Sequence, residues 1–171
     1  MDQYMKKILV SECLYGGRIV RYDGKALEET DARFVRWKEE GRLIPFCTEV
    51  FGGLTIPRTP AQRVEHVQGF TEYEDFDEYV KVMTEGGEDV TAAYVKGATE
   101  AVRLAIQNQV VCCIMKQNSP ACGSHSIYDG TFSHRKIKGE GVATEFLRKA
   151  GFVVFGEDEL DEVEGDLDSL L

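Results

Sequence analysis

The chain predicts an α/β fold: a single Rossmann-like, three-layer domain on a mainly parallel sheet, with any ligand site at the carboxyl ends of its strands. Three observations predict it. Short apolar runs recur along the sequence, at residues 7–10 (KILV), 43–46 (LIPF), 110–115 (VVCCIM) and 152–155 (FVVF). Between them lie stretches with apolar residues at helical spacing, and alternation of this kind marks a parallel sheet covered by helices. The length of 171 residues suits one domain around one sizeable core.

Residues 7–10 read as a short buried strand. Residues 31–40 (DARFVRWKEE) place Phe34, Val35 and Trp37 in a short helix that Gly41 ends. Residues 43–46 form a second strand, and Pro45 points to an edge position, because proline cannot donate to a ladder. Thr91 is a candidate cap for a helix in which Val95, Ala98, Val102 and Ala105 share one face. Residues 110–115 are the most apolar run and predict a central strand. Residues 141–150 read as a helix and 152–155 as the last strand. Residues 58–88 predict a small excursion, with a hairpin around Gly86 and Gly87.

Charge and composition narrow the function. No apolar run approaches the roughly 20 residues needed to cross a bilayer. The opening MDQYMKKILVSEC has too short an apolar run for a signal peptide, so a cytoplasmic protein with reduced thiols is expected. Five cysteines, an odd number, argue against a disulfide framework. Net charge is −10, but residues 156–171 hold eight acidic groups and no basic one, leaving −2 for the first 155 residues. A nearly neutral body does not bind duplex nucleic acid through a basic face. The domain is therefore placed at residues 1–158, with 159–171 as an acidic, solvated and partly frayed tail.

The cysteines fall into two classes. Cys112 and Cys113 lie inside VVCCIM, where neighbours point to opposite faces, and are expected to pack in the core. Cys13, Cys47 and Cys122 each stand at or just beyond the carboxyl end of a predicted strand, near glycines. In an open parallel sheet those ends converge on one crevice. Three thiols meeting there in a reduced compartment suggest a metal, and three ligands leave a coordination position open for catalysis. Spacing alone does not separate zinc from an iron–sulfur cluster. Cys122 sits in KQNSPACGSHSIYDG, whose polar neighbours predict an exposed thiol.

Five segments, SECLYGGRIVRYDG, GRLIPFCTEVFGGLTIPRTPA, EDVTAAYVKGA, MKQNSPACGSHSIYDGTF and GEGVATEFLRKAGFVVF, together resemble a family of small bacterial and archaeal proteins. That family is associated with 2-thiouracil desulfurase and related thiouridine desulfidases. The resemblance runs to about residue 159, and is weakest over residues 64–78, where a glycine-rich pattern is expected after PRTPA. It implies a [4Fe–4S] cluster held by Cys13, Cys47 and Cys122, and a thiolated pyrimidine base, nucleoside or nucleotide as substrate. A thiocarbonyl sulfur suits the iron left free by three thiolates, and coordination makes the thiocarbonyl carbon electrophilic. An activated water then replaces sulfur by oxygen, with no net electron transfer.

Within this reading Glu49 is the general base, because a strand continuing through it would put positions 47 and 49 on the same side. Ser119 relays a proton or binds substrate, and Lys116 orients substrate or stabilises negative charge. Asp23 and Ser124 are candidate substrate contacts; Asp129 is more often a turn residue and His125 a surface one. Arg18, Arg21 and Arg58 are candidates for a phosphate. A monomer or weak homodimer is expected. Two other readings stand: a zinc-dependent hydrolase on the same three cysteines, and a non-enzymatic iron–sulfur sensing or scaffold protein that uses the acidic segment to bind a partner. Thiol redox catalysis is disfavoured because no CxxC opens a helix.

Overall fold

The structure, a computed structural model, describes residues 5–67 and 80–169. Four parallel strands form the central sheet: β1 (Ile8–Ser11), β2 (Leu43–Phe46), β5 (Cys112–Met115) and β8 (Val154–Gly156), in the order β2-β1-β5-β8. β2 is an edge strand, so Pro45 sits where a missing N–H costs least. Two antiparallel pairs lie outside this sheet: β3 (Ala61–Arg63) with β4 (Val82–Thr84), and β6 (Ser126–Tyr128) with β7 (Lys136–Lys138). The helices are α1 (Glu12–Tyr15), α2 (Ala32–Glu39), α3 (Thr48–Phe51), α4 (Thr91–Gln107), α5 (Val142–Lys149) and α6 (Leu160–Ser169).

The pleat sorts the core into two layers. Leu9, Cys113 and Met115 face α4 and α5, meeting Tyr94, Ala98, Ala101, Val142 and Leu147. Ile8, Val10, Cys112 and Ile114 face the other way, onto Leu14, Phe34, Trp37, Leu160 and Val163. Cys112 and Cys113 are fully buried on opposite faces, as strand alternation predicts. The result is the expected three-layer α/β/α domain.

Two local readings change. Thr91 opens α4 rather than capping it: Asp89 Oδ1 accepts from Thr91 N at 3.0 Å, while the Thr91 hydroxyl accepts from Val82 N at 2.9 Å. Around Gly86 and Gly87 the chain turns tightly, with Thr84 N donating to Glu88 O and Met83 bridging Asp89. The strand partner of β4 is β3, however, and residues 68–79 between them lie outside the described residues, as do most of those in the weak part of the family pattern.

The acidic segment also differs from the expected frayed end. It contains α6, whose Leu160 and Val163 are 4% and 0% exposed in the second core layer. Its acidic groups face cations of α2: Arg33 pairs with Asp161, and Arg36 lies 3.6 Å from Glu164. Charge described the outer face of this helix and hid the apolar one. Leu167 packs against the same layer, and its carbonyl accepts from Lys6 Nζ at 2.5 Å. Removing residues 165–171 is expected to cost about 1–2 kcal/mol. A thermal midpoint lower by several degrees in calorimetry would check this.

Candidate active site

β1 and β5 are neighbours, and the chain leaves them in opposite directions, toward β2 and β8. Ligands in open parallel sheets bind at such a switch point, outside the carboxyl ends of the strands. Here that place is a cavity of about 340 Å³, within the usual range of roughly 300–1,000 Å³ for small-molecule sites. Cys13, Cys47 and Cys122 all line it, with Glu49, Lys116 and Ser119.

Each thiol arrives by a different route. Cys13 lies in α1, the single turn after β1. Cys47 directly follows β2 and precedes α3. Cys122 is brought in by the loop after β5, which is fastened at several points. Ser119 Oγ accepts from Ala121 N and Cys122 N at 3.1 and 3.0 Å, and Gly123 N donates to Ser119 O at 2.9 Å. The first N–H groups of α5, at Val142 and Ala143, donate to Pro120 O and Ala121 O, and Thr144 Oγ1 donates to Cys122 O at 2.9 Å. The polar residues around Cys122 are thus spent on holding the loop. Cys122 itself is 8% exposed, which corrects the expectation of an exposed thiol.

Burial dominates the thiols' electrostatics. Cys13 is pushed up to about 12 by burial, with the Cys47 thiol adding and Arg21 opposing. Cys122 is raised by burial and by Cys13, Glu49 and Cys47, against a contact with the Ser11 hydroxyl. Cys47 is raised by burial, partly offset by the N–H of Val50. The three sulfurs line one cavity, and no disulfide joins them. A metal cation bound there would oppose the effect of burial and favour the thiolate form, the form that ligates metals. A second observation fits a sulfur-rich centre. Thr48, next to Cys47 in the cavity wall, has its hydroxyl buried without a hydrogen-bond partner. An unsatisfied buried hydroxyl costs about 1–3 kcal/mol, and a sulfur acceptor beside Cys47 would relieve it.

Glu49 reaches the cavity by a route the sequence did not predict. Residues 48–51 are one helical turn, α3, not an extension of β2, so strand alternation does not align positions 47 and 49. α3 is instead pressed onto α4. A Cβ at Gly97 would meet Thr48 O at 2.1 Å, and one at Gly52 would meet Ala93 O at 2.2 Å, so the two backbones touch where only glycine fits. Arg58 then grips one carboxylate oxygen of Glu49, through Nε at 2.8 Å and through its terminal nitrogen. Both side chains are nearly buried, at 9% and 12% exposure. Tyr94 stands beside the pair, its phenol held neutral by burial and by Glu49.

Lys116 is oriented by Glu157, whose two oxygens accept from Lys116 Nζ and Gln117 N, each at 2.8 Å. Asp23 and Ser124 are not among the residues lining the cavity. Asp23 closes a turn, accepting from Lys25 N and Arg21 Nε. Ser124 is buried behind the wall, between Gln117 Nε2 at 2.6 Å and Glu159 at 3.3 Å. Asp129 accepts from Thr131, and exposed His125 pairs with Asp158, so both play the local roles expected of them. Of the three arginines, Arg21 and Arg58 line the cavity, whereas Arg18 pairs with Glu12.

Sequence reasoning missed Tyr94, Gln117 and Glu157. Tyr94 stands inside a quoted motif and could have been singled out there. Glu157 gave no signal, because it is one of eight acidic residues in a row of sixteen positions.

A family model, 2-thiouracil desulfurase, matches residues 8–159. The chain belongs to the 2-thiouracil desulfurase family. The matched span includes all three cavity cysteines, Glu49 and the central sheet. The chain is 40% identical over 157 residues to the uncharacterized protein YbbK of Bacillus subtilis (strain 168), covering 91% of this chain and 99% of that one. Among solved structures it is similar to the [4Fe-4S]-dependent thiouracil desulfidase TudS, with a TM-score of 0.84 and 38% identity over 97% of this chain and 99% of that one. The four-stranded parallel core of this desulfurase-family chain thus has a solved counterpart over almost its whole length.

Proposed function

We propose that the protein is an enzyme that removes sulfur from thiolated pyrimidines, replacing C=S by C=O and releasing sulfide, with a [4Fe–4S] cluster on Cys13, Cys47 and Cys122. The observation that carries this reading is the convergence of three thiols, one buried and two half-buried, and Glu49 on one cavity. Family membership and the likeness to TudS support it.

When bound, the cluster supplies soft iron with affinity for a thiocarbonyl sulfur. The chain's own residues do the rest. Glu49, with one oxygen held by Arg58, presents the other to a water and takes its proton. The water oxygen bonds to the ring carbon, the carbon–sulfur bond breaks with its electron pair on sulfur, and sulfide leaves; carbon keeps its oxidation state. Lys116, fixed by Glu157, offers positive charge to the polar edge of the ring. Ser119 keeps Cys122 in place through its turn, with its hydroxyl hydrogen available to substrate. The substrate class is 2-thiouracil, thiouridine or its monophosphate, and Arg21 at the cavity wall suits the last. No helix among the described residues is long and apolar enough to cross a membrane. We place the enzyme in the cytoplasm, as a monomer or weak homodimer.

The zinc hydrolase reading is weaker on geometry. A mononuclear zinc with Zn–S near 2.3 Å draws thiolates to about 3.8 Å from one another. Among the described residues, the one group of three potential ligands with all donor atoms within 4.8 Å is His125, Asp158 and Glu159, not the cysteines. The cysteine set is therefore wider than one zinc ion needs.

The test is anaerobic reconstitution, metal and sulfide analysis, and a screen of 2- and 4-thiouracil, thiouridine and its monophosphate for sulfide release. About four irons per chain and turnover of one of these substrates are expected. Zinc in place of iron, or an iron-loaded protein that turns over none of them, would refute the reading. Among the described residues, none from 165 onward lines the cavity, so removal of residues 165–171 is expected to leave kcat unchanged despite the loss of stability.

A further inference from the structure

We propose that Phe132, in the loop between β6 and β7, is the platform on which the pyrimidine ring of the substrate stacks. The inference rests on the desulfuration reading for the identity of that ring.

Four described non-glycine residues have positive φ: Gln109 (52°), Asn118 (66°), Phe132 (57°) and His134 (63°). Three of them, Asn118, Phe132 and His134, line the cavity that holds the three thiols. Asparagine enters this region readily. A bulky aromatic does not, and is a genuine outlier there. Such strain persists only where the surroundings over-determine the backbone, and it gathers at ligand sites.

The determining contacts are on the β3 side. Gln62 Oε1 accepts from Gly130 N at 2.9 Å and Phe132 N at 3.3 Å. His66 Nε2 donates to Asp129 O at 2.6 Å. Gly130, with φ of 89°, lies so close to β3 that a Cβ would meet Arg63 O at 2.5 Å. The loop is therefore docked onto β3 at several points, and that docking fixes Phe132 in the cavity wall, half-buried.

Tyr22, Phe46, Tyr94 and Tyr128 line the same cavity, but among its phenylalanines and tyrosines only Phe132 is held at positive φ, and its ring supplies a flat apolar face beside the charged groups Glu49, Arg58 and Lys116. Every pyrimidine presents a matching π-face. Stacking reads the ring rather than its substituents, so this contact selects planar bases whichever carbon bears the sulfur. Loss of a base–aromatic stack lowers affinity roughly 5- to 150-fold.

The experiment compares the iron-loaded wild type with Phe132→Gly and Phe132→Trp. Glycine relieves the positive φ and removes the ring, whereas tryptophan keeps a π-face. Three quantities are read: thermal midpoint, KM for the thiopyrimidine that the wild type turns over, and uracil affinity by calorimetric titration. For Phe132→Gly we expect an unchanged or higher midpoint with KM and the uracil Kd raised roughly 5- to 150-fold. Phe132→Trp is expected to stay within severalfold of wild type. A folded Phe132→Gly protein that binds uracil as tightly as wild type overturns the proposal. So does a fall in midpoint with unchanged affinity, the mark of a packing role. A wild type that binds uracil through Phe132 but releases no sulfide would bring down the desulfuration reading and leave the platform standing. A wild type that binds no pyrimidine overturns both.

Discussion

Replacing any one of Cys13, Cys47 and Cys122 with alanine is expected to abolish the broad brown absorption of the reconstituted protein and its sulfide release together. The three side chains share one cavity and approach it from three strand ends, so no fourth described cysteine can take a vacated place: Cys112 and Cys113 are fully buried within the sheet, on opposite faces. Their thiols are raised by burial and have no route to the cavity. Cys112→Ala and Cys113→Ala are therefore expected to keep about four irons per chain, at a cost of about 1 kcal/mol in core packing. Iron and acid-labile sulfide assays on the five variants decide the matter. Full iron content after loss of Cys122 would break the assignment.

Glu49→Gln separates holding the cluster from doing the chemistry. The amide keeps the shape of the side chain and can still accept from Arg58, but it takes no proton from water. Loss of a general base lowers the rate roughly 10²–10⁴-fold. Iron content is expected to match wild type, and a thiopyrimidine should still perturb the visible spectrum on binding. The exchange leaves the nearly buried Arg58 without its counter-charge, so about 1–3 kcal/mol of stability is expected to be lost as well. The midpoint must be measured beside the rate, so that slow turnover is not mistaken for unfolding. Near-normal turnover would move the base elsewhere, with Ser119 the next residue in the cavity wall. A variant without iron would make Glu49 part of the metal site.

The lesson about reading such a chain lies in which signals are local. The four sheet strands, α2, α4 and α5 were legible because each is a run whose apolar spacing matches its own geometry, and tertiary packing agreed with it. The convergence of the three cysteines was legible for a related reason. Each follows a strand end, and in a parallel sheet all strand ends face one way.

What the tertiary structure alone decided depends on partners distant in sequence. Cys122 looked exposed among polar neighbours, but those neighbours are consumed by hydrogen bonds to one another and to α5. Ser124 and Asp23 looked available and are engaged elsewhere, by Gln117 and Glu159 and by Lys25 and Arg21. Glu49 is placed by a glycine contact between α3 and α4, not by strand alternation. Glu157 reaches Lys116 across 41 residues, from a stretch whose uniform charge hid it. The sequence by itself determined the four strands of the central sheet and the family, and singled out the three cysteines that meet in the cavity, because these follow from short-range pattern. Which polar groups remain free to meet a substrate was settled only in three dimensions, because a side chain's availability is what remains after every other contact has been made.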